Sequence, residues 1–137
     1  MWVFILLNLI MYYTSQSEFE ELINLSLETL PKKYTSKLKN IAIVTADKPS
    51  ELQAKKLHLR NDQTLFGLYE GIPLTKRGAN YNLVLPDVIT IFKLPLEQSV
   101  NSKENLYSAV RHTLWHEIAH YFGLNHNQIH KLDGTIK

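Results

Sequence analysis

Apolar residues recur at intervals of three and four in a first segment that ends at Pro31. Such spacing puts them on one face of an α-helix and predicts an amphipathic helix of about three turns. Ser17 and Glu20 have the spacing of a capping box, so we expect this helix to begin near Ser17. The apolar positions are Phe19, Leu22, Ile23, Leu27 and Leu30.

A second helical pattern extends from Ser102 to Gly123. Ser102 is a plausible N-cap, and Gly123 lies where a residue in the left-handed conformation would end the helix. Residues 125–132 add at most one or two further turns, and we expect Trp115 to be buried. The apolar positions recur every four residues and are Leu106, Val110, Leu114, Ile118 and Phe122.

Three short runs rich in β-branched and aromatic residues lie between the helices: Ile41–Thr45, Leu65–Tyr69 and Val88–Leu94. They predict strands, the first of them buried, whereas residues 50–59 favour a modest helix or an irregular connection. A helix, then strands, then a long helix is typical of an α+β fold. We therefore predict a short, mostly buried sheet packed on the long C-terminal helix.

The chain has 137 residues, 45% of them hydrophobic, which is enough for one core and too few for two ordinary domains. We predict a single domain over residues 17–137. Fifteen basic and thirteen acidic residues give a formal charge of +2, so we expect no nucleic-acid partner. Because there is no cysteine, any metal must be held by nitrogen and oxygen ligands.

Residues 1–16 form a separate, apolar N-terminal segment. The run Met1–Tyr13 is shorter than the roughly 17 to 25 residues that a membrane-spanning helix needs. Three readings remain: translation that truly starts at Met11 in a cytoplasmic protein, an export or anchoring signal, or an ordered segment that packs on the domain. Membrane association and oligomeric state are left open.

The C-terminal helix pattern contains the motif H-E-x-x-H, formed by His116, Glu117 and His120. Residues four apart lie on one helix face, so both imidazoles can reach one ion, with Glu117 beside a water molecule as general base. The motif continues through Gly123 to His126. A sharp turn at Gly123 would bring His126 back as the third metal ligand, and three imidazoles suit Zn²⁺.

Other histidines compete for these roles. His112 shares a helix face with His116 and could offer a fourth nitrogen, although a supporting or core-packed histidine is the simpler interpretation. His130 could replace His126 as third ligand, but the spacing after Gly123 favours His126. We expect His58 on the surface.

Two tyrosines and one arginine have open roles. Tyr69 or Tyr121 could donate a hydrogen bond to an oxyanion, but nothing in the sequence selects one, and Tyr121 should point away from the metal. Arg111 could pair with a carboxylate such as Glu70, although solvation at the surface is the default expectation.

The segment from His116 to His126 resembles the zinc signature of the metzincins, and residues 17–137 are similar to a family of small bacterial zincin-like metallopeptidases. Three further pieces support the resemblance: Gly67 to Leu74, Leu85 to Asp87, and Arg111 to Thr113. It implies a minimal α+β zincin-like domain with a zinc site on its last long helix.

The sequence departs from these relatives in two ways. Many members of the small family have aspartate at the third ligand position, where this chain has His126. Larger metzincins have a methionine turn beneath the metal, whereas the methionines here are Met1 and Met11, both far upstream. The floor of the site must therefore be built differently.

The sequence favours hydrolysis of peptide bonds by a zinc-activated water with Glu117 as general base, acting on a peptide or protein substrate. An extended substrate could add to an exposed sheet edge, for which Val88–Leu94 is the candidate strand. Two alternatives remain. One is a three-histidine zinc endoribonuclease, against which Glu117 argues, and the other is a zinc-binding interaction domain without turnover.

Overall fold

The structure, a computed structural model, describes residues 11–72 and 86–133, apart from the side chains of residues 132 and 133. Its strands are β1 (Ile41–Ala46), β2 (Gly67–Glu70) and β3 (Asp87–Phe92). Its helices are α1 (Gln16–Thr29), α2 (Lys32–Thr35), α3 (Glu51–Lys56), α4 (Lys93–Gln98), α5 (Lys103–Tyr121) and α6 (His126–Asp133).

The three strands form one sheet in the order β1-β3-β2, with β1 parallel and β2 antiparallel to β3. Helix α5 packs against β2, β3, α1 and α4, so the long helix is the centre of the fold. The core between these elements is apolar and buried from solvent. Its fully buried members include Phe19, Ile89, Ile91, Leu106, Val110, Leu114, Trp115 and Ile118. The predicted α+β class is confirmed.

The predicted strands are present, with ends shifted by one or two residues. The Val88–Leu94 strand is too long, because β3 ends at Phe92 and Lys93 begins helix α4. Pro95 explains the change: it has no N–H for a sheet ladder and is tolerated in the first turn of a helix. The first strand, β1, is less buried than expected, and Val44 is 42% exposed.

The position of β3 corrects a second expectation. The sequence suggested Val88–Leu94 as an exposed edge, but β3 lies between the other two described strands. Its residues are almost all buried, as a central strand requires. The described edges belong to β1 and β2.

Helix α1 begins earlier than its sequence pattern suggested. Ser15, and not Ser17, is the N-cap, and it forms the reciprocal capping box with Glu18. Both Ser-x-x-Glu pairs have the required spacing, so local sequence cannot separate them. The residues just before this cap contact α4.

Those contacts converge on Glu97, whose side chain is completely buried in α4. The backbone N–H and the hydroxyl of Thr14 both donate to Oε2 of Glu97 at 2.6 Å. Lys93 Nζ lies 3.1 Å from its other oxygen, and Tyr12 N–H donates to the Glu97 carbonyl. These bonds compensate the carboxylate for lost hydration and attach residues 12–14 to the domain.

The division of the chain at residue 16 stays a prediction. Residues 1–10 lie outside the described part, so the three readings of the apolar segment Met1–Tyr13 also remain open. Of the helices within residues 11–72 and 86–133, none has the length and hydropathy needed to cross a bilayer.

We expect a shortened chain that starts at Met11 to fold, because it retains every bond to Glu97. Within that chain, Thr14→Val should lower the free energy of unfolding by about 1–3 kcal/mol, since it removes one hydrogen bond to a buried carboxylate. Urea unfolding measures the change. Ser17→Ala, an exposed position on α1, is the control and should cost little. Equal losses for the two variants would contradict the anchoring role of Glu97.

Candidate metal centre

Helix α5 sets the first two histidines of the motif on one face. Ser102 caps its N-terminus by accepting the N–H of Asn105 at 3.1 Å, as predicted. The rings of His116 and His120 then lie one turn apart, with centroids separated by 4.7 Å. Both side chains are partly exposed, so an ion could reach them from the solvent.

The chain leaves α5 through the glycine turn that the sequence predicted. Gly123 has a positive φ of 76°, a conformation that costs glycine little. Its N–H donates to His120 O at 2.9 Å, and Leu124 N–H donates to Ala119 O at 3.1 Å. This pair of bonds is the Schellman motif, which satisfies the last carbonyls of the helix while reversing the chain.

A second short helix then holds His126. Asn125 and Gln128 exchange side-chain bonds to each other's N–H groups at 2.8 Å, which fixes the start of α6. Ile129, 1% exposed, attaches α6 to the core. His126, the first residue of α6, therefore faces the other two rings, 5.8 Å from His116 and 5.7 Å from His120 between centroids.

These distances fit the chemistry of a three-imidazole site. Imidazole nitrogens at about 2.0–2.1 Å from a tetrahedral ion place the ring centroids about 5 Å apart. Potential ligand atoms of His116, Glu117 and His120 lie within 4.8 Å of one another, and His126 is not part of this compact set. Burial, and then the nearby His126, lower the pKa of His120, which favours the neutral form that binds metals.

Glu117 belongs to this compact set, but its carboxylate is hydrogen-bonded to the sheet. Its side chain is only 7% exposed, and Oε1 accepts the backbone N–H of Tyr69, in β2, at 2.9 Å. Burial raises the pKa of Glu117 to about 7, and the bond from Tyr69 offsets part of that rise. The carboxylate thus adjoins the histidines while one of its oxygens is bonded to β2.

Because Gly67 has no side chain, β2 can approach α5 closely enough for Tyr69 N–H to reach Glu117. A Cβ atom added to Gly67 would lie 2.7 Å from Thr113 Cγ2 and 3.1 Å from Glu117 Cγ. A larger residue would therefore require Thr113 or β2 to shift. An open cleft of about 550 Å³ adjoins this contact, bounded by Leu68, Tyr69, Glu117, His120, Gly123, Leu124 and Asn125.

A sequence model of the zincin-like metallopeptidase family matches residues 38–135, which include every residue of this centre. The chain belongs to the zincin-like metallopeptidase family. A comparison with curated proteins gave no match. Family membership is consistent with the minimal α+β fold, and it implies binding of zinc by this zincin-like domain.

The competing histidines lie at the surface of the zincin-like domain. His112 is exposed, so the core-packed interpretation is wrong, and it is not part of the compact ligand set. His130 is exposed one turn beyond His126. His58 is exposed as predicted, with a φ of 55°.

The tyrosine hydroxyls are engaged elsewhere. Tyr69 donates to Asp87 Oδ2 at 2.6 Å, and Tyr121 lies 3.3 Å from both the N–H and the carbonyl of Lys39. The expectation that Tyr121 points away from the metal is thereby confirmed. Sequence reasoning missed the contribution of the Tyr69 N–H, although the resemblance from Gly67 onward pointed to this strand.

Arg111 has a structural role that the sequence did not suggest. Its guanidinium donates to the hydroxyl and the carbonyl of Thr29, at the end of α1, at 2.8 and 3.1 Å. Arginine at a helix C-terminus satisfies an unpaired carbonyl and interacts favourably with the helix dipole. Glu70 instead accepts a bond from Gln53 in α3 at 2.9 Å.

The raised pKa of Glu117 gives a prediction for the metal-free protein. A carboxyl group whose pKa rises from 4.5 to about 7 on folding favours the folded state at low pH and loses that contribution as pH rises through 7. After chelator treatment, Glu117→Gln should therefore exceed wild type in unfolding free energy by up to about 3 kcal/mol at pH 8, and by little at pH 4.

Urea unfolding at several pH values measures this difference. Glu21→Gln, an exposed position on α1, is the control and should change little with pH. A pH-independent difference between wild type and Glu117→Gln would contradict the assignment.

Proposed function

We propose that this domain is a zinc-dependent peptidase in which His116, His120 and His126 bind the metal and Glu117 is the general base. The observation that carries the proposal is the carboxylate of Glu117, buried beside the histidines and hydrogen-bonded to β2. A purely structural zinc site has no need of a buried carboxylate that faces an open cleft.

When bound, zinc supplies a Lewis acid that acidifies water and polarises a carbonyl group. Glu117 accepts a proton from the attacking water at its carboxylate and later returns it to the departing amine nitrogen. The second oxygen of Glu117 is the better candidate for this transfer, because Oε1 already accepts the N–H of Tyr69.

Substrate alignment involves β2 and not β3. Among the described strands β2 lies at one edge of the sheet, and its Leu68 and Tyr69 line the cleft that contains Glu117. An extended peptide that adds to this edge would pass next to Glu117 and His120. Backbone pairing favours an unfolded or flexible protein segment as the substrate, since a folded strand has its own backbone groups bonded.

The metal ligands are tested by single substitutions to alanine. We expect His116→Ala, His120→Ala and His126→Ala each to lower bound zinc markedly, because three protein ligands are the usual minimum for a catalytic zinc. Metal analysis of purified protein measures occupancy. His112→Ala and His130→Ala are the controls and should retain about one ion per chain. Full zinc in His126→Ala, with loss in His130→Ala, would reassign the third ligand.

The general base is tested with Glu117→Gln, which keeps the size of the side chain. Zinc content should stay near that of wild type, while hydrolysis of a quenched fluorescent peptide library should fall about a hundred- to ten-thousand-fold. Glu104→Gln, exposed near the start of α5, should behave as wild type.

Three other outcomes would overturn this assignment. Cleavage by Glu117→Gln at the wild-type rate would refute the mechanism, and loss of zinc would make Glu117 a ligand or a support. Hydrolysis of RNA by wild type and variant alike, with no cleavage of peptides, would favour the ribonuclease alternative.

A further inference from the structure

Tyr69 connects two buried carboxylates through two different groups. Its backbone N–H donates to Glu117 Oε1 at 2.9 Å, and its hydroxyl donates to Asp87 Oδ2 at 2.6 Å. Asp87, only 3% exposed, lies at the start of β3. The second bond is short, as expected for a hydroxyl that donates to a carboxylate.

We propose that Tyr69 and Asp87 are positioning residues: their hydrogen bond fixes β2 so that the Tyr69 N–H holds Glu117 in its catalytic orientation. The inference rests on the proposed role of Glu117 as general base. It assigns to Asp87, which contacts neither a histidine of the centre nor Glu117 in any described bond, an effect on catalysis that is transmitted through β2.

The sheet register explains why these two side chains meet. Tyr69 pairs with Ile89 across the antiparallel ladder, so Asp87, two residues along β3, lies on the same sheet face at a diagonal position. A tyrosine is long enough to reach across that diagonal. The ring of Tyr69 also packs edge-on against Tyr121 of α5, with centroids 6.2 Å apart.

Two glycines provide the space that this arrangement requires. A Cβ atom on Gly71 would lie 2.4 Å from Asp87 Cγ, so the Asp87 carboxylate occupies the volume that a side chain would take. At the other end of β2, Gly67 permits close contact with Thr113 and Glu117. The strand is therefore held close to α5 at one end and against Asp87 at the other.

The bond made by the Tyr69 hydroxyl favours a positioning role for this residue over direct catalysis by the hydroxyl. A tyrosine hydroxyl has one hydrogen, and here it is donated to Asp87. Stabilising an oxyanion would require that hydrogen to leave a short bond to a buried carboxylate. The N–H of the same residue, in contrast, already contacts Glu117.

The experiment compares wild type with Tyr69→Phe, Asp87→Ala and the double variant, each loaded with zinc. Tyr107→Phe is the matched control, because Tyr107 lies on α5 with its hydroxyl 3.4 Å from Thr29 and remote from the centre. Three quantities are measured: zinc content, kcat and KM for peptide hydrolysis, and the hydrogen-exchange rate of the residue 69 amide by NMR.

We expect each single variant to keep its zinc and its KM, to lose about tenfold in kcat, and to exchange the residue 69 amide faster. The double variant should be no worse than either single variant, since both changes remove the same bond. Additive losses in kcat would instead indicate two independent structural effects and would overturn the inference.

Other outcomes separate this inference from the proposed function. If Tyr69→Phe lowers kcat while Asp87→Ala does not, the hydroxyl acts directly and positioning is refuted. If wild type hydrolyses no peptide, the proposed function fails, and amide exchange alone decides whether Asp87 controls β2. Should Asp87→Ala fail to fold, Asp87→Asn, which leaves the Tyr69 hydroxyl a neutral and weaker acceptor, must accelerate the amide exchange for the inference to stand.

Discussion

The close contact between strand β2 and helix α5 is the constraint on which the candidate site depends. Gly67 leaves no side chain between the two elements, and the Tyr69 N–H reaches Glu117 as a result. Without that bond, the buried Glu117 carboxylate would lose the hydrogen bond that it accepts from the sheet. An unpaired polar group at this depth is costly, so one contact determines both the packing of the strand and the orientation of Glu117.

The remaining part of the centre is formed by the way α5 ends. The Schellman turn at Gly123 reverses the chain, and Ile129 then holds α6 against the core so that His126 faces the helix it follows. Local backbone chemistry thus places the third histidine, whereas the tertiary contact with β2 places Glu117. Both parts of the centre meet on α5, which contributes more core residues than any other described element.

The anchoring of the first helix follows the same physical logic as the site. Glu97 and Glu117 are both buried carboxylates, and both are bonded to backbone N–H groups from a distant part of the chain. Lys93 Nζ lies 3.1 Å from Glu97, however, whereas Glu117 adjoins His116 and His120 and lines the open cleft. A carboxylate paired with a lysine inside the fold suits a structural anchor, and one that lines a cleft can exchange a proton with a bound molecule.

The sequence by itself determined the features that depend on short-range geometry. The four-residue spacing of His116 and His120, the cap at Ser102 and the turn at Gly123 all follow from helix geometry, and each is present in the structure. The α+β class followed from hydrophobic periodicity. Where two local patterns were equally good, as for Ser15 and Ser17, the sequence could not choose between them.

Only the tertiary structure decided which elements lie beside the centre. Strand order made β2 an edge of the described sheet and left β3 central, because pairing between distant segments is not encoded in the pattern of either strand alone. The Tyr69 N–H belongs to the backbone, so the amino-acid type at this position does not reveal its role. Its bond to Glu117, and the bond of its hydroxyl to Asp87, arise when three elements separated by tens of residues pack together.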